Sequence, residues 1–173
     1  MRNILVPTPI RFLHRVKDPA AWTTVGFSLH LAATTLWKKL SSAMKAIETG
    51  NQIDDETELL LCLRGPYALL AGLAIENFLK AAILQQTPSS RRTVIRSHDL
   101  IGLSRRGNFY WNDTDLALLR RLTTFIHWAG RYPVALSEDE TRASRILVRG
   151  DYLTINAIVH ELVRFHQKEP FQQ

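Results

Sequence analysis

The chain has 173 residues, one cysteine (Cys62) and a formal net charge of +6. That length fits a single domain able to bury a core without cross-links, and a lone cysteine excludes both an intramolecular disulfide and a zinc site built on several thiolates, which fits a reducing compartment. The N-terminus, with Pro7, Pro9 and Arg11, lacks the apolar core and cleavage site of a signal peptide, and the most apolar stretch, Tyr67 to Leu84, is broken by Glu76, Asn77 and Lys80. The expectation is a cytoplasmic protein with no membrane span.

In chain order, residues 1–17 read as an extended arm ahead of a core over 18–168. Asp18 before Pro19 is a helix-start signature, a side-chain cap followed by a residue whose missing N–H costs nothing in the first turn. This predicts a long helix to about Thr49, stopped by Gly50. Asp54, Asp55 and Glu56 then place negative charge at the start of a second helix ahead of Leu59, Leu60, Leu61 and Leu63, and Gly65 and Pro66 should bend or split the chain beyond it. From Tyr67 to Gln85 apolar residues cover most of the circumference, as in a central helix packed on several sides.

Thr87 to Arg96 reads as a polar loop, and Ser97 can cap a short helix through Ser104 that ends at Gly107 and Asn108. Asn112 or Asp113 can start the next helix, in which Leu118, Leu119, Leu122, Phe125 and Ile126 share one face, with Gly130 and Pro133 as its stop. Ser137 with Glu140 matches a capping box for a helix through about Val148, and Asp151 can open a last helix ending near Lys168. No glycine-rich phosphate loop and no repeat is present. The fold class is all-α, a helical bundle of about five to six helices.

Charge is concentrated in the middle of the chain: residues 91–149 hold 11 arginines, no lysine and six acidic side chains. Arginine binds phosphate in a two-pronged hydrogen bond and stacks on bases, so this block suits a nucleic acid; a solvated basic face is the plainer alternative. Arg91, Arg92, Arg96, Arg105 and Arg106 are the candidate RNA-binding residues. Tyr110 and Trp111, beside Arg105 and Arg106, can form a stacking surface or plug the end of the bundle.

Four segments succeed one another in a particular order: Ala71-Gly-Leu-Ala-Ile-Glu-Asn-Phe-Leu-Lys80-Ala, Ser97-His-Asp-Leu100, Leu118-Leu-Arg-Arg-Leu122, and His127-Trp-Ala-Gly-Arg-Tyr-Pro133. This succession resembles the HEPN superfamily, in which a central helix with a Glu-x-x-x-Lys element precedes a His-Asp-Leu turn and one branch carries Gly-Arg-Tyr-Pro after the following helix. The resemblance spans about residues 67–134. It implies a HEPN-like bundle, a homodimer, and the activity of many members: metal-independent endoribonucleolytic cleavage through an Arg-x(4 to 6)-His motif, in microbial toxin or defence systems.

Arg120 or Arg121 with His127 satisfies that motif. Spacing alone does not discriminate, because 16 arginines and six histidines would give about 1.7 matching histidines by chance, and His98 behind Arg91 or Arg92 matches too. Helix geometry favours Arg120, since seven residues turn a continuous α-helix by about 700° and bring Arg120 and His127 to nearly one side. The resemblance implies attack of a ribose 2′-hydroxyl on the adjacent phosphate, with His127 moving the proton and an arginine stabilising the phosphoryl oxygens. Two departures from the family pattern stand out: Leu122 follows Arg121 where a polar residue is common, and Ala129 stands where one subgroup has tyrosine. A purely structural His127 near a helix C-terminus is the competing reading.

Glu76 and Lys80 are either a modest helical ion pair or partly buried groups reaching toward Arg131 or the His127 site. His98 can cap a helix or take part in catalysis, and Arg131 and Tyr132 can bind a phosphate and a base or form a turn. His160 and His166 lack metal-ligand spacing with nearby carboxylates, so neither metal nor cofactor is expected. The partners expected are RNA and a second copy of the chain; a non-catalytic module of the same fold, binding RNA or a protein such as an antitoxin or defence-system subunit, is the other reading.

Overall fold

Asp18 accepts a hydrogen bond from the Ala20 amide at 2.9 Å and opens α1 (Pro19–Glu48), as the Asp-Pro pair predicts. The computed structural model describes residues 17–50, 54–87, 96–129 and 149–168. Gly50, at φ +68°, supplies the left-handed residue that ends this helix. Asp54 caps α2 (Asp55–Leu61) through the Thr57 amide at 2.8 Å. The chain breaks at Cys62 and Leu63, before the expected Gly65-Pro66, which instead fall in the first turn of α3 (Arg64–Gln86), where the proline's missing N–H is harmless.

The next cap differs from expectation. Asp99, not Ser97, caps α4 (Leu100–Arg106) by accepting from the Ile101 amide at 3.1 Å, while Ser97 Oγ accepts from Asp99 N. Gly102 makes room, since a Cβ there would lie 2.5 Å from the Asp99 carboxylate. Asn108, at φ +58°, follows the Gly107 cap. Asn112 caps α5 (Asp113–Thr124), which runs into a π-helical turn at Phe125–Ala129. The last helix, α6 (Arg149–Lys168), has Asp151 within its first turn rather than before it. The expected arm over 1–17, save Lys17, the Thr87–Arg96 loop between 88 and 95, the Gly130 and Pro133 stop and the Ser137–Val148 helix lie outside the described residues.

The architecture is an all-α helical bundle. α3 is its axis: fifteen of its residues are buried, including an unbroken run from Ala74 to Leu84. By length and composition the stretch Asp55–Gln86 could cross a membrane, but here α1, α4, α5 and α6 all pack on α3. Small residues set the spacing. A Cβ on Gly26 would sit 3.0 Å from the Phe78 ring, bringing α1 close to α3, and a Cβ on Gly72 would sit 3.1 Å from Ile126, bringing the end of α5 close to α3. Leu118, Leu119, Leu122, Phe125 and Ile126 are all buried, as their shared face predicts.

Two polar groups in the core have energetic consequences. The Tyr67 hydroxyl is buried without a hydrogen-bond partner among the described residues; burial, with the negative charge of Asp151 nearby, pushes its ionisation far upward, so it stays neutral. Such a hydroxyl costs desolvation energy with nothing in return. Tyr67→Phe should therefore raise the unfolding free energy by about 1 kcal/mol in denaturant titration, against the usual sign for a core substitution.

His166 ties α6 to α3, its Nδ1 2.9 Å from Gln85 Oε1 and its Nε2 3.1 Å from the Phe78 carbonyl. Burial lowers its pKa below the ordinary 6.5, opposed in part by that carbonyl, and burial lowers His30 likewise. Between the lowered folded values and 6.5 the unfolded chain binds more protons, so this stability is present above that window and is lost as pH falls through it. The thermal midpoint should fall on acidification from about pH 7 to 5, and His166→Gln should flatten that dependence.

Candidate functional site

Four side chains, from α3, the approach to α4 and the π-turn that ends α5, follow one another at one place. Glu76 and Lys80, one turn apart on α3 with the acid first, form an ion pair of 2.6 Å, and only 4 % and 2 % of their side chains reach solvent. Lys80 Nζ also lies 5.2 Å from the centre of the Trp22 ring of α1, a cation–π contact. The second carboxylate oxygen of Glu76 lies 2.9 Å from Nδ1 of His98, which precedes α4 and keeps 42 % of its side chain exposed. The His98 ring in turn meets the exposed His127 edge to face, with centroids 5.8 Å apart.

Local packing explains the convergence. Thr123 Oγ1 accepts from the Leu100 amide at 3.2 Å, satisfying an otherwise orphaned donor of the first turn of α4. That bond ties the chain just after His98 to α5 one turn before His127. The Gly72–Ile126 contact presses the same end of α5 onto α3, one turn ahead of Glu76. The two threonines before the π-turn also bond backward to carbonyls, Thr123 to Leu119 at 2.9 Å and Thr124 to Arg120 at 3.3 Å, an arrangement that bends helices.

The π-turn changes the relation between Arg120 and His127. A π-turn takes more residues per revolution than an α-turn, so His127 falls behind the position a continuous helix would give it, and strict alignment with Arg120 is lost. Both side chains are exposed. Arg121 has a different occupation: its guanidinium grips both carboxylate oxygens of Asp151, one bond at 2.9 Å, joining α5 to α6 in a half-buried pair. Bidentate pairing of this kind adds geometric specificity to charge.

Of the other expected residues, Arg96, Arg105 and Arg106 are exposed, whereas Arg91, Arg92, Arg131 and Tyr132 lie outside the described residues. The two aromatics of the α4–α5 connection have separate roles. Trp111 stacks on Phe109 at 5.9 Å with rings nearly parallel and helps close the bundle, while Tyr110 is 84 % exposed. An open cavity of about 520 Å³ bordered by Trp37, Glu48 and Tyr152 lies between α1 and α6 and contains none of these residues. Among the described residues no three His, Cys, Asp or Glu side chains converge to hold a metal ion.

In the series Glu76–His98–His127 one ring is held by a buried carboxylate and both rings reach solvent, which places two imidazoles, groups suited to general acid–base chemistry, side by side at the surface. Sequence reasoning gave each of these residues separately but not the Glu76–His98 bond, which spans 22 positions, nor the Trp22 and Asp151 partnerships. Comparison with family models, curated proteins and solved structures gives no match for this chain.

Removing Glu76 takes from the buried Lys80 ammonium its carboxylate partner. Glu76→Ala should lower the unfolding free energy by about 3–5 kcal/mol, whereas Glu76→Leu with Lys80→Met should recover most of that loss, measured by denaturant titration.

Proposed function

We propose that this chain is an RNA-directed, HEPN-like protein that acts as a metal-independent endoribonuclease in a microbial toxin or defence system. The observation that carries the reading is the meeting of His98 and His127 at the surface with the Glu76–Lys80 pair behind them. In-line attack of a ribose 2′-hydroxyl on its own phosphate needs proton transfer at two oxygens and stabilisation of phosphoryl charge. Two imidazoles that reach solvent supply the first, and the resemblance assigns the second to a motif arginine, here Arg120, exposed on α5 upstream of His127. The order of segments that resembles HEPN supports the same reading, which carries with it a cytoplasmic homodimer without cofactor.

Arg96, Arg105 and Arg106, with the exposed Tyr110, supply the basic and stacking surface that single-stranded RNA needs. A second reading, a non-catalytic module of this fold that binds RNA or a protein partner such as an antitoxin, draws support from Arg121: one of the two candidate motif arginines is spent on Asp151.

Cleavage of a labelled RNA by the purified protein, with chelator present, separates the two. His127→Ala in a folded protein should reduce the rate by about 10²–10⁴-fold, and Arg120→Gln by about 10²-fold with little change in thermal midpoint. Arg121→Gln should instead lower stability. Intact RNA bound with a steep salt dependence would favour the module, and unchanged cleavage by the His127 variant would sink the nuclease reading.

A further inference from the structure

The surroundings of His98 carry more than its proximity to His127. Glu76 offers one oxygen to Lys80 and the other to His98 Nδ1. A carboxylate in an ion pair only accepts hydrogen bonds, so the proton of the neutral His98 ring sits on Nδ1. Its lone pair is then on Nε2, on a side chain that is 42 % exposed. Because Lys80 offsets the charge of Glu76, the carboxylate gives His98 chiefly a tautomer and an orientation. Glu76 and Lys80 are almost fully enclosed and carried by the central helix, so the ring is held by the most deeply packed part of the bundle.

We infer that His98 is the general base of the site, with Glu76 as its positioning residue and His127 as the general acid, an assignment that rests on the ribonuclease reading above. His98 Nε2 takes the proton of the ribose 2′-hydroxyl. The 2′-oxygen forms a bond to phosphorus, the bond from phosphorus to the 5′-oxygen breaks, and its electron pair leaves on that oxygen, which takes a proton from the His127 imidazolium. The products are a 2′,3′-cyclic phosphate and a 5′-hydroxyl; His98 ends protonated and His127 neutral, and exchange with water restores both. The substrate class is RNA with a 2′-hydroxyl at the cleaved position, and a single 2′-deoxy substitution there blocks reaction.

The test compares an ordinary RNA oligonucleotide with one whose scissile 5′-oxygen is replaced by sulfur, a leaving group that departs without a proton. His127→Ala should lose about 100-fold or more on the ordinary linkage and return to within about tenfold of the parent protein on the thio linkage. His98→Ala should stay impaired on both. Rescue of the His98 variant instead, of both variants, or of neither, overturns the assignment.

Nitrogen-15 NMR of the unliganded full chain, at a pH where the ring is neutral, reads the tautomer without any activity. The expected signal is His98 protonated on Nδ1, lost in the charge-balanced Glu76→Leu, Lys80→Met double variant, which removes the acceptor and should also lower kcat with little change in KM. Protonation on Nε2 in the parent protein overturns the positioning claim even if RNA is cleaved. Nδ1 protonation in a protein that leaves RNA intact shows instead that the nuclease reading has failed, and His98 then has no base to be.

Discussion

Glu76 and Lys80 sit one turn apart on the most enclosed helix of the bundle, in surroundings that would heavily penalise either charge alone. Each is therefore bound to the other and to what surrounds them. Trp22 must lie over Lys80, which fixes the start of α1 against α3, and His98 must approach Glu76, which fixes the approach to α4. Pairs of this type seldom add much net stability over apolar substitutes of similar size. What they impose is a unique arrangement, because any packing that separated the partners would bury a bare charge.

Glycine makes that arrangement possible. α1 and α3 approach across Gly26 until the Phe78 ring fills the space a side chain would take, and α5 approaches α3 across Gly72 in the same way. With helices this close, Ile126 reaches the central helix and the residue after it, His127, is left at the surface beside His98. The position of the exposed ring is thus set by buried apolar contacts, with the Thr123–Leu100 hydrogen bond joining the two helix ends that carry the imidazoles.

Much of the fold was legible in the sequence because it is written locally. Asp18-Pro19, Asp54 and Asn112 act as caps where side-chain chemistry says they should, and the apolar circumference of Tyr67–Gln85 predicts the axis. Misplacements were also local: two residues able to cap, Ser97 and Asp99, stand two positions apart, and the carboxylate took the helix start because Gly102 leaves space for it. The site was legible only in pieces. Glu-x-x-x-Lys is visible as a helical pair, but its burial and its bond to His98 depend on how α3 and α4 come together, and nothing in the periodicity of α5 marks Arg121 as the partner of an aspartate 30 positions later.

The π-turn at Phe125–Ala129 stores one more residue than an α-turn would in the revolution that carries the histidine. A helix with such a turn is in effect one that has accepted an insertion without breaking, so its frame can be reset by a deletion. Losing one residue there would restore α geometry within the same revolution, at the expense of the register in which Phe125 and Ile126 reach the core. The face upstream, anchored through Leu118, Leu119 and Leu122, would stay where it is, and the side chains within the turn, the imidazole among them, would take new directions. In a chain of this fold, the aim of the exposed ring is thus a one-residue variable, coupled to the core through the buried Phe125 and Ile126 of the same turn.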